Sequence, residues 1–252
     1  MPYRCSWPRN HLWTMGKNKL QRFAENETFP HLIQAQFMEV WRDDHAMKGH
    51  WHGDFFCNDN PITLELGCGR GEYTLALAQR YPERNFIGVD IKGARLWYGA
   101  KQAHLMGLRN VGFLRTRIET LGSFFADGEV NEIWITFPDP QLKTRREGKR
   151  LTAVPFLACY QRILTPTGLV HLKTDSLELH QYTLGVLARC GVVPEVALQD
   201  IDPCLEQYPE LAIPTKYEML FRGQGKSITY LSFSLPETCH LVLPQGAGDE
   251  GQ

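Results

Sequence analysis

Two stretches of the chain hold residue types from which chemistry could be built. The first, Leu64 to Tyr73, reads LELGCGRGEY: a carboxylate, Glu65, followed by Gly67, Gly69 and Gly71. Glycines so spaced let the backbone approach a ligand closely and adopt positive φ. The second, Phe137 to Arg150, reads FPDPQLKTRREGKR. Here Asp139 stands between two prolines, each of which fixes its own φ and restricts the residue before it. A carboxylate held this stiffly can orient a base or stabilise positive charge arising on it. Lys143, Arg145, Arg146, Lys149 and Arg150 follow, opposed only by Glu147. Such a cluster of cations suits a phosphate backbone.

The glycine turn discriminates between ligands. A dinucleotide fingerprint, G-x-G-x-x-G, needs glycine at position 72, and that position is Glu72. The pattern is instead E-x-G-x-G-x-G. An acid two residues before the first glycine suits the positive amino-acid end of S-adenosyl-L-methionine, not a pyrophosphate. Asp90 follows Gly71 by 19 residues and closes the next apolar run. A carboxylate there can accept both hydroxyl protons of a ribose. Cys68, inside the turn, reads as a small filler and not as a nucleophile.

These residues need elements to hold them. From Pro61 to Gly191 the chain alternates strand and helix patterns. ITLELG, NFIGVDI, VGFLRT, EIWITF and LVHLKTD read as five strands. GEYTLALAQRY, ARLWYGAKQAHLM, the short ETLGSFFA, AVPFLACYQRIL and LELHQYTLGVLARCG read as the helices after them. Gly107 and Gly191 mark helix ends. Strands separated by helices run parallel through right-handed crossovers. The expected fold is a doubly wound α/β sheet that binds ligands at the carboxyl ends of its strands. That edge collects Glu65, the glycine turn, Asp90, Asp139 and, at the end of the fifth strand, Asp175. Residues 192–240 read as a closing strand, a loop-rich insertion and a last strand. Within them, spacing alone makes Thr215, Lys216, Tyr217 and Glu218 a loop.

The division expected is an N-terminal arm over 1–60, a main domain over 61–240 and a disordered tail over 241–252. The arm is aromatic and His-rich, with one helix expected from His31 to Asp43. A chain of 252 residues suits one α/β domain with such an addition. Apolar content of 43% and charged content of 22% are ordinary for a globular protein. No apolar run approaches the ~18 residues of a membrane helix. The first 14 residues lack the apolar core of a secretory signal. Seven cysteines without pairing pattern fit a reduced, cytoplasmic protein. His50 and His52 have no Cys or His cluster beside them, so no metal is expected.

Net charge is −1, but it is segregated. Residues 1–24 hold Arg4, Arg9, Lys17, Lys19 and Arg22 and no acid, whereas 190–215 hold five acids and no Lys or Arg. The acidic segment reads as solvated surface.

Taken in order, LELGCGRGEY, GVDIKGAR, ITFPDPQLKTRREGKRL, HLKTD and TKYE resemble the bacterial tRNA (guanine-N7-)-methyltransferases, from about Met15 to Leu235. The resemblance implies a class I, Rossmann-like methyltransferase with a seven-stranded, mostly parallel sheet. It implies S-adenosyl-L-methionine as methyl donor and a guanine of the tRNA variable loop as acceptor. It implies cofactor contacts at Glu65, Gly67, Gly69, Asp90, Arg117 and Asp139, with Asp139 also catalytic. Lys143, Asp175, Thr215, Lys216, Tyr217 and Glu218 would meet the tRNA. The chain departs from the common family pattern at three positions. Gln141 stands where Trp is usual, Arg146 where His is usual, and Arg117 where an Asp or Asn often ends the third strand. The resemblance makes Met15 the natural start and Met1 to Thr14 an extension. Two other readings stay open: methylation of an exocyclic base amine, and a non-catalytic RNA-binding subunit of the same fold. Monomer and homodimer are equally open.

Overall fold

Parallel strands covered on both faces read as unbroken apolar runs, and this sheet is built from them. The computed structural model describes residues 19–236 together with Cys239 and Leu241. The extension expected over Met1 to Thr14 lies outside the described residues, as does the expected tail apart from Leu241.

The strands are β1 (Leu32–Gln34), β2 (Ile62–Leu66), β3 (Asn85–Asp90), β4 (Val111–Arg115), β5 (Val130–Thr136), β6 (Leu164–Thr174), β7 (Val196–Leu198) and β8 (Thr229–Ser234). The helices are α1 (Lys19–Asn26), α2 (Phe37–Val40), α3 (Glu72–Arg80), α4 (Gly93–Met106), α5 (Val154–Ile163), α6 (Leu177–Arg189) and α7 (Lys216–Arg222). All residues of β2 and β3 are buried. The order across the sheet is β1-β4-β3-β2-β5-β6-β8-β7. Every pair from β1 to β6 is parallel, and β8 runs antiparallel to both neighbours. The strand order reverses where β2 lies between β3 and β5, the switch point at which open α/β sheets bind ligands.

The doubly wound reading holds, with one strand more than expected. The eighth is β1, inside the arm, paired in parallel register with β4 (Leu32↔Phe113, Gln34↔Arg115). The helix expected from His31 to Asp43 is therefore this edge strand followed by the single turn of α2. Three residues are too few to show a strand period, and tertiary pairing decides their conformation. The short helix expected in ETLGSFFA is a 3-10 turn, Ile118–Ser123.

The described part of the arm shares the core of the main domain. Trp51 is fully buried, stacks on Phe125 at 5.1 Å, and its Nε1 donates to the Phe124 carbonyl at 2.8 Å. The Glu129 carboxylate accepts from the backbone N–H of Gly49, Trp51 and Ala126. Helix α1 lies on α4, held where Trp97 Nε1 donates to Glu25 (2.9 Å) and Lys101 pairs with Glu25 (2.5 Å).

On the other flank, one side chain ties the insertion to the sheet. Lys173, in β6, is 0% exposed. Its Nζ donates to the carbonyls of Leu211 (2.7 Å) and Ile213 (3.1 Å) and to Glu218 Oε2 (2.7 Å). Burial lowers the Lys173 pKa from its ordinary value, and Glu218 opposes that shift. Glu218 also accepts from Arg222 Nε at 2.9 Å, and Arg222 pairs with Asp202 at 2.7 Å. Tyr81 OH donates to Glu210 Oε1 at 2.8 Å, and Tyr73 OH to the Glu210 carbonyl at 3.1 Å. The segment is thus anchored at Asp202, Glu210, Leu211 and Ile213, while Glu195, Asp200 and Glu206 are exposed, as its charge suggested.

Removing one partner of a buried ion pair leaves the other charge without compensation, at a cost of about 3–5 kcal/mol. Glu218→Ala is expected to lower the urea unfolding free energy by about that amount. The double variant Lys173→Met, Glu218→Leu is expected to lose much less than the two single changes summed. Equilibrium unfolding of the three variants checks both statements.

Candidate active site

Glu65, in β2, is 4% exposed. Its Oε1 accepts from Thr136 Oγ1 at 2.6 Å. Its Oε2 accepts from Thr74 N at 2.9 Å and from the Thr74 hydroxyl. Burial pushes the Glu65 carboxyl up to about 7, against the opposing pull of these three donors; the neighbouring Glu72 adds to the rise. The carboxylate lines a cavity of about 290 Å³ with the glycine turn, Thr136, Phe137 and Thr215 to Tyr217. A Cβ on Gly67 or Gly69 would meet nothing within 4 Å, but their φ of +74° and +60° select glycine. The turn there presents bare backbone to the cavity. Cys68 is buried and its thiol lies well above the ordinary range, which suits a filler.

Gly67 and Arg95 also line a second cavity of about 730 Å³ that reaches Asp90, Arg117 and Glu119. Asp90 is nearly buried; Gly69 N donates to its Oδ2 (3.0 Å) and Lys92 N to its Oδ1 (2.7 Å). The same carboxylate therefore braces the glycine turn and faces the cavity. Arg117 directs its guanidinium over the Phe37 ring at 4.8 Å.

The turn after β5 is strained. Phe137 and Gln141, at its two ends, have φ of +47° and +46°, uncommon for residues with a Cβ. Such strain persists where surroundings enforce it, and it concentrates at functional sites. Here Phe137 N donates to the Lys173 carbonyl (2.8 Å), and Gln141 N to Asp139 Oδ1 (3.0 Å). Arg150 donates to the carbonyls of Pro140 (3.2 Å) and Gln141 (3.3 Å) and lies over the Tyr182 ring. Arg146 donates to Gln141 Oε1 at 3.3 Å. The basic run is thus divided. Arg146 and Arg150 bind the turn, but only Arg150 is half-buried; Lys143, Arg145, Arg146 and Lys149 are exposed. Asp139 is exposed too, two residues beyond Phe137 of the cavity wall.

Of the other expected residues, Asp175 pairs with Lys226 at 2.6 Å. Thr215 caps α7, its Oγ1 accepting from Glu218 N at 3.0 Å. The segment expected to be a loop is a cap and a helical turn. Lys216 N donates to Glu72 Oε2 at 3.1 Å, which joins α7 to the glycine turn. Lys216 and Tyr217 line the cavity, but Glu218 is 3% exposed and turned to Lys173 and Arg222. Its carboxylate positions the neighbours that reach the cavity.

Sequence reasoning passed over Thr74, Thr136, Arg95 and Lys173. Thr136 carried a signal, as a polar residue ending an apolar strand directly before the Pro-rich turn. Lys173 carried a stronger one, since a lysine inside a buried strand demands partners.

A family profile described as "Putative methyltransferase" matches residues 59–231. The chain is 46% identical over 230 residues to the tRNA (guanine-N(7)-)-methyltransferase of Bacteroides fragilis, covering 91% of this chain and 90% of that one. It is 50% identical over 215 residues to the enzyme of that name from Porphyromonas gingivalis, covering 84% and 87%. With that of Streptococcus thermophilus it shares 37% over 183 residues, covering 73% and 84%. Among solved structures, the 16S rRNA methyltransferase KamB superposes with TM-score 0.58 at 13% identity, over 76% of this chain and 95% of that one. The 16S rRNA (adenine(1408)-N(1))-methyltransferase from Catenulisporales acidiphilia gives 0.54 at 15% identity, over 73% and 92%. At those identities the likeness is one of fold.

The Glu65 environment predicts an unusual pH profile for the unliganded protein. In the unfolded chain the group titrates near 4.5, and in the fold near 7. Between these values the folded state holds the extra proton, so stability declines as pH rises through that window. By pH 8 the loss is roughly 3 kcal/mol. Glu65→Gln stays neutral; its amide oxygen can keep the Thr74 donors while its NH₂ donates to Thr136. The variant is expected to melt above the parent protein at pH 8 and level with it at pH 4, measured without ligand.

Proposed function

The chain belongs to the tRNA (guanine-N7-)-methyltransferase family, and from that premise we propose that it transfers a methyl group to N7 of a guanine in the variable loop of tRNA. The observation that carries the reading is the buried Glu65 in the wall of a cavity that Phe137, the strained first residue of the Asp139 turn, also lines, with Lys149 in the wall of the adjoining cavity and Lys143 and Arg145 exposed in the same basic run.

The cofactor is S-adenosyl-L-methionine, and the residues present fit it. Glu65 is a buried carboxylate whose hydrogen bonds come from neutral donors, so a ligand ammonium supplies the countercharge it lacks. Gly67 and Gly69 bare the backbone beside it. Asp90 retains lone pairs for a ribose in the larger cavity. The two cavities share Gly67 and Arg95, and together they have the size of small-molecule sites. When bound, the cofactor supplies a methyl group activated by a sulfonium.

Guanine N7 already carries an available lone pair on the major-groove edge. No residue of the chain has to remove a proton from it. The protein's contribution is positioning, which can lower a barrier by roughly 7–11 kcal/mol, and compensation of the positive charge that develops on the base. Asp139 is suited to the second task, because its turn is fixed by Arg150 and Gln141 and its carboxylate remains exposed. Lys143 and the stretch from Thr215 to Tyr217 hold the RNA, and Asp175 sits at the same sheet edge, where Lys226 orients it. The reading places the protein in the cytoplasm, where tRNA is matured. Position 141 bears on the exocyclic-amine alternative. Motifs of that kind end in an aromatic residue that stacks on the base, and Gln141 is instead hydrogen-bonded to Arg146.

The direct test is methyl transfer from labelled cofactor to unmodified tRNA transcripts, followed by borohydride and aniline cleavage, which cuts at N7-methylguanosine. One cut in the variable loop is the expected result; methylated tRNA that resists cleavage would overturn the choice of atom. Asp139→Asn is expected to lose nearly all turnover while melting like the parent protein and still binding cofactor. Lys143→Ala is expected to weaken tRNA binding and to lower the slope of log affinity against log salt by about one. Titrations at three or more salt concentrations read that slope.

A further inference from the structure

The arm presents an aromatic surface that the proposed chemistry does not use. Because β1 pairs in parallel with β4, the chain leaves it at the carboxyl edge of the sheet and forms α2 there. Phe37, which opens α2, and Trp41, which caps its C-terminus one turn later, have ring centroids 5.1 Å apart. Trp41 is 56% exposed, Met38 between them 68%, and Phe37 36%. Helices of globular proteins ordinarily turn such residues inward. Across from them, two residues past the end of β4, Arg117 sets its guanidinium over the Phe37 ring. Arg117 also lines the larger cavity, as does the exposed Lys149 of the basic run.

Charge selects the occupant. Arg117 has no carboxylate partner among the described residues. Of the acids in the same stretch, Glu39 accepts from Gln36 N and Asp44 pairs with Lys48, while the exposed Asp43 follows the exposed Arg42. The two aromatic rings are thus backed by a cation, and the adjoining cavity is lined by Lys92, Arg95, Arg117 and Lys149 against Asp90 and Glu119. That combination recognises a nucleobase attached to a phosphate, since bases stack on aromatic and guanidinium planes while neighbouring cations hold the backbone.

We propose that Phe37 and Trp41, backed by Arg117, form a stacking platform for an unpaired nucleotide of the RNA substrate. The platform rests on the tRNA reading above and extends it to a second contact outside the methyl-transfer site. It also gives Arg117 a role that an Asp or Asn at that position could not fill, as the cation joining the platform to the cavity rim.

The test compares the parent protein with Trp41→Ala, Trp41→Phe and Arg117→Ala by titration of an unmodified tRNA transcript at several salt concentrations. Cofactor affinity, read by calorimetry, controls for an intact fold. Trp41→Ala is expected to bind tRNA about fivefold to a hundredfold more weakly, with cofactor affinity and salt slope unchanged. Trp41→Phe should keep most of the affinity, and Arg117→Ala should lower the salt slope by about one. Undiminished tRNA binding by Trp41→Ala overturns the platform, even if methylation proceeds normally. So does a parent dimer that Trp41→Ala converts to monomer, because a second copy of the chain would then cover the face. A parallel titration of a short unpaired oligonucleotide, read by Trp41-dependent fluorescence quenching, separates the two readings. Quenching that survives while tRNA is neither bound nor methylated keeps the platform and rejects the tRNA reading; absence of quenching in the parent protein rejects the platform.

Discussion

A lysine with no exposure in the middle of a sheet is tolerable only if every N–H of its ammonium has a partner. Lys173 meets that condition with the Leu211 and Ile213 carbonyls and the Glu218 carboxylate. All three partners belong to the segment between β7 and β8, so satisfying one charge draws that segment across the carboxyl edge of the sheet. Thr215, Lys216 and Tyr217 lie between the partners and are carried to the cavity wall. On the other side of the same residue, the Lys173 carbonyl accepts from Phe137 N and fixes the start of the Asp139 turn. Two walls of the site therefore depend on one buried cation.

The site divides its polar groups between construction and exposure. Glu65 gains three donors but remains reluctant to ionise, because burial outweighs them. That leaves a deficit which a bound cation removes. The basic run shows the same division. Arg150 is committed to the strained turn, Arg146 contacts it from the surface, and Lys143, Arg145 and Lys149 stay in solvent. Counting cations in the sequence overstates those available to a polyanion.

The three departures from the common family pattern also acquire physical content. Gln141 and Arg146 touch each other, so an amide–guanidinium pair stands where Trp and His are usual. Arg117 reaches the arm and not a carboxylate. Each substitution has a local partner in this chain, which argues that the edge is rebuilt and not decayed.

The order of elements was legible in the sequence because it is written in local signals. Apolar runs such as ITLEL and NFIGVD can be satisfied only when covered on both faces, and the alternation with helices then dictates parallel pairing. The spacing of Glu65, Gly67 and Gly69, and of Asp139 between its prolines, is likewise local, because φ and backbone approach are set residue by residue. Distant pairing was not legible. Nothing in Leu32 to Gln34 announces an edge strand, since its conformation comes from β4, about eighty residues away. Nothing in TKYE says that Glu218 turns inward while Tyr217 turns outward, because that follows from Lys173 forty-five residues earlier. The sequence by itself determined the order of the elements and the edge at which Glu65, the glycine turn, Asp90 and Asp139 gather. Only the tertiary structure decided which of them are spent on one another, because burial and long-range partners set the cost of leaving a charge free.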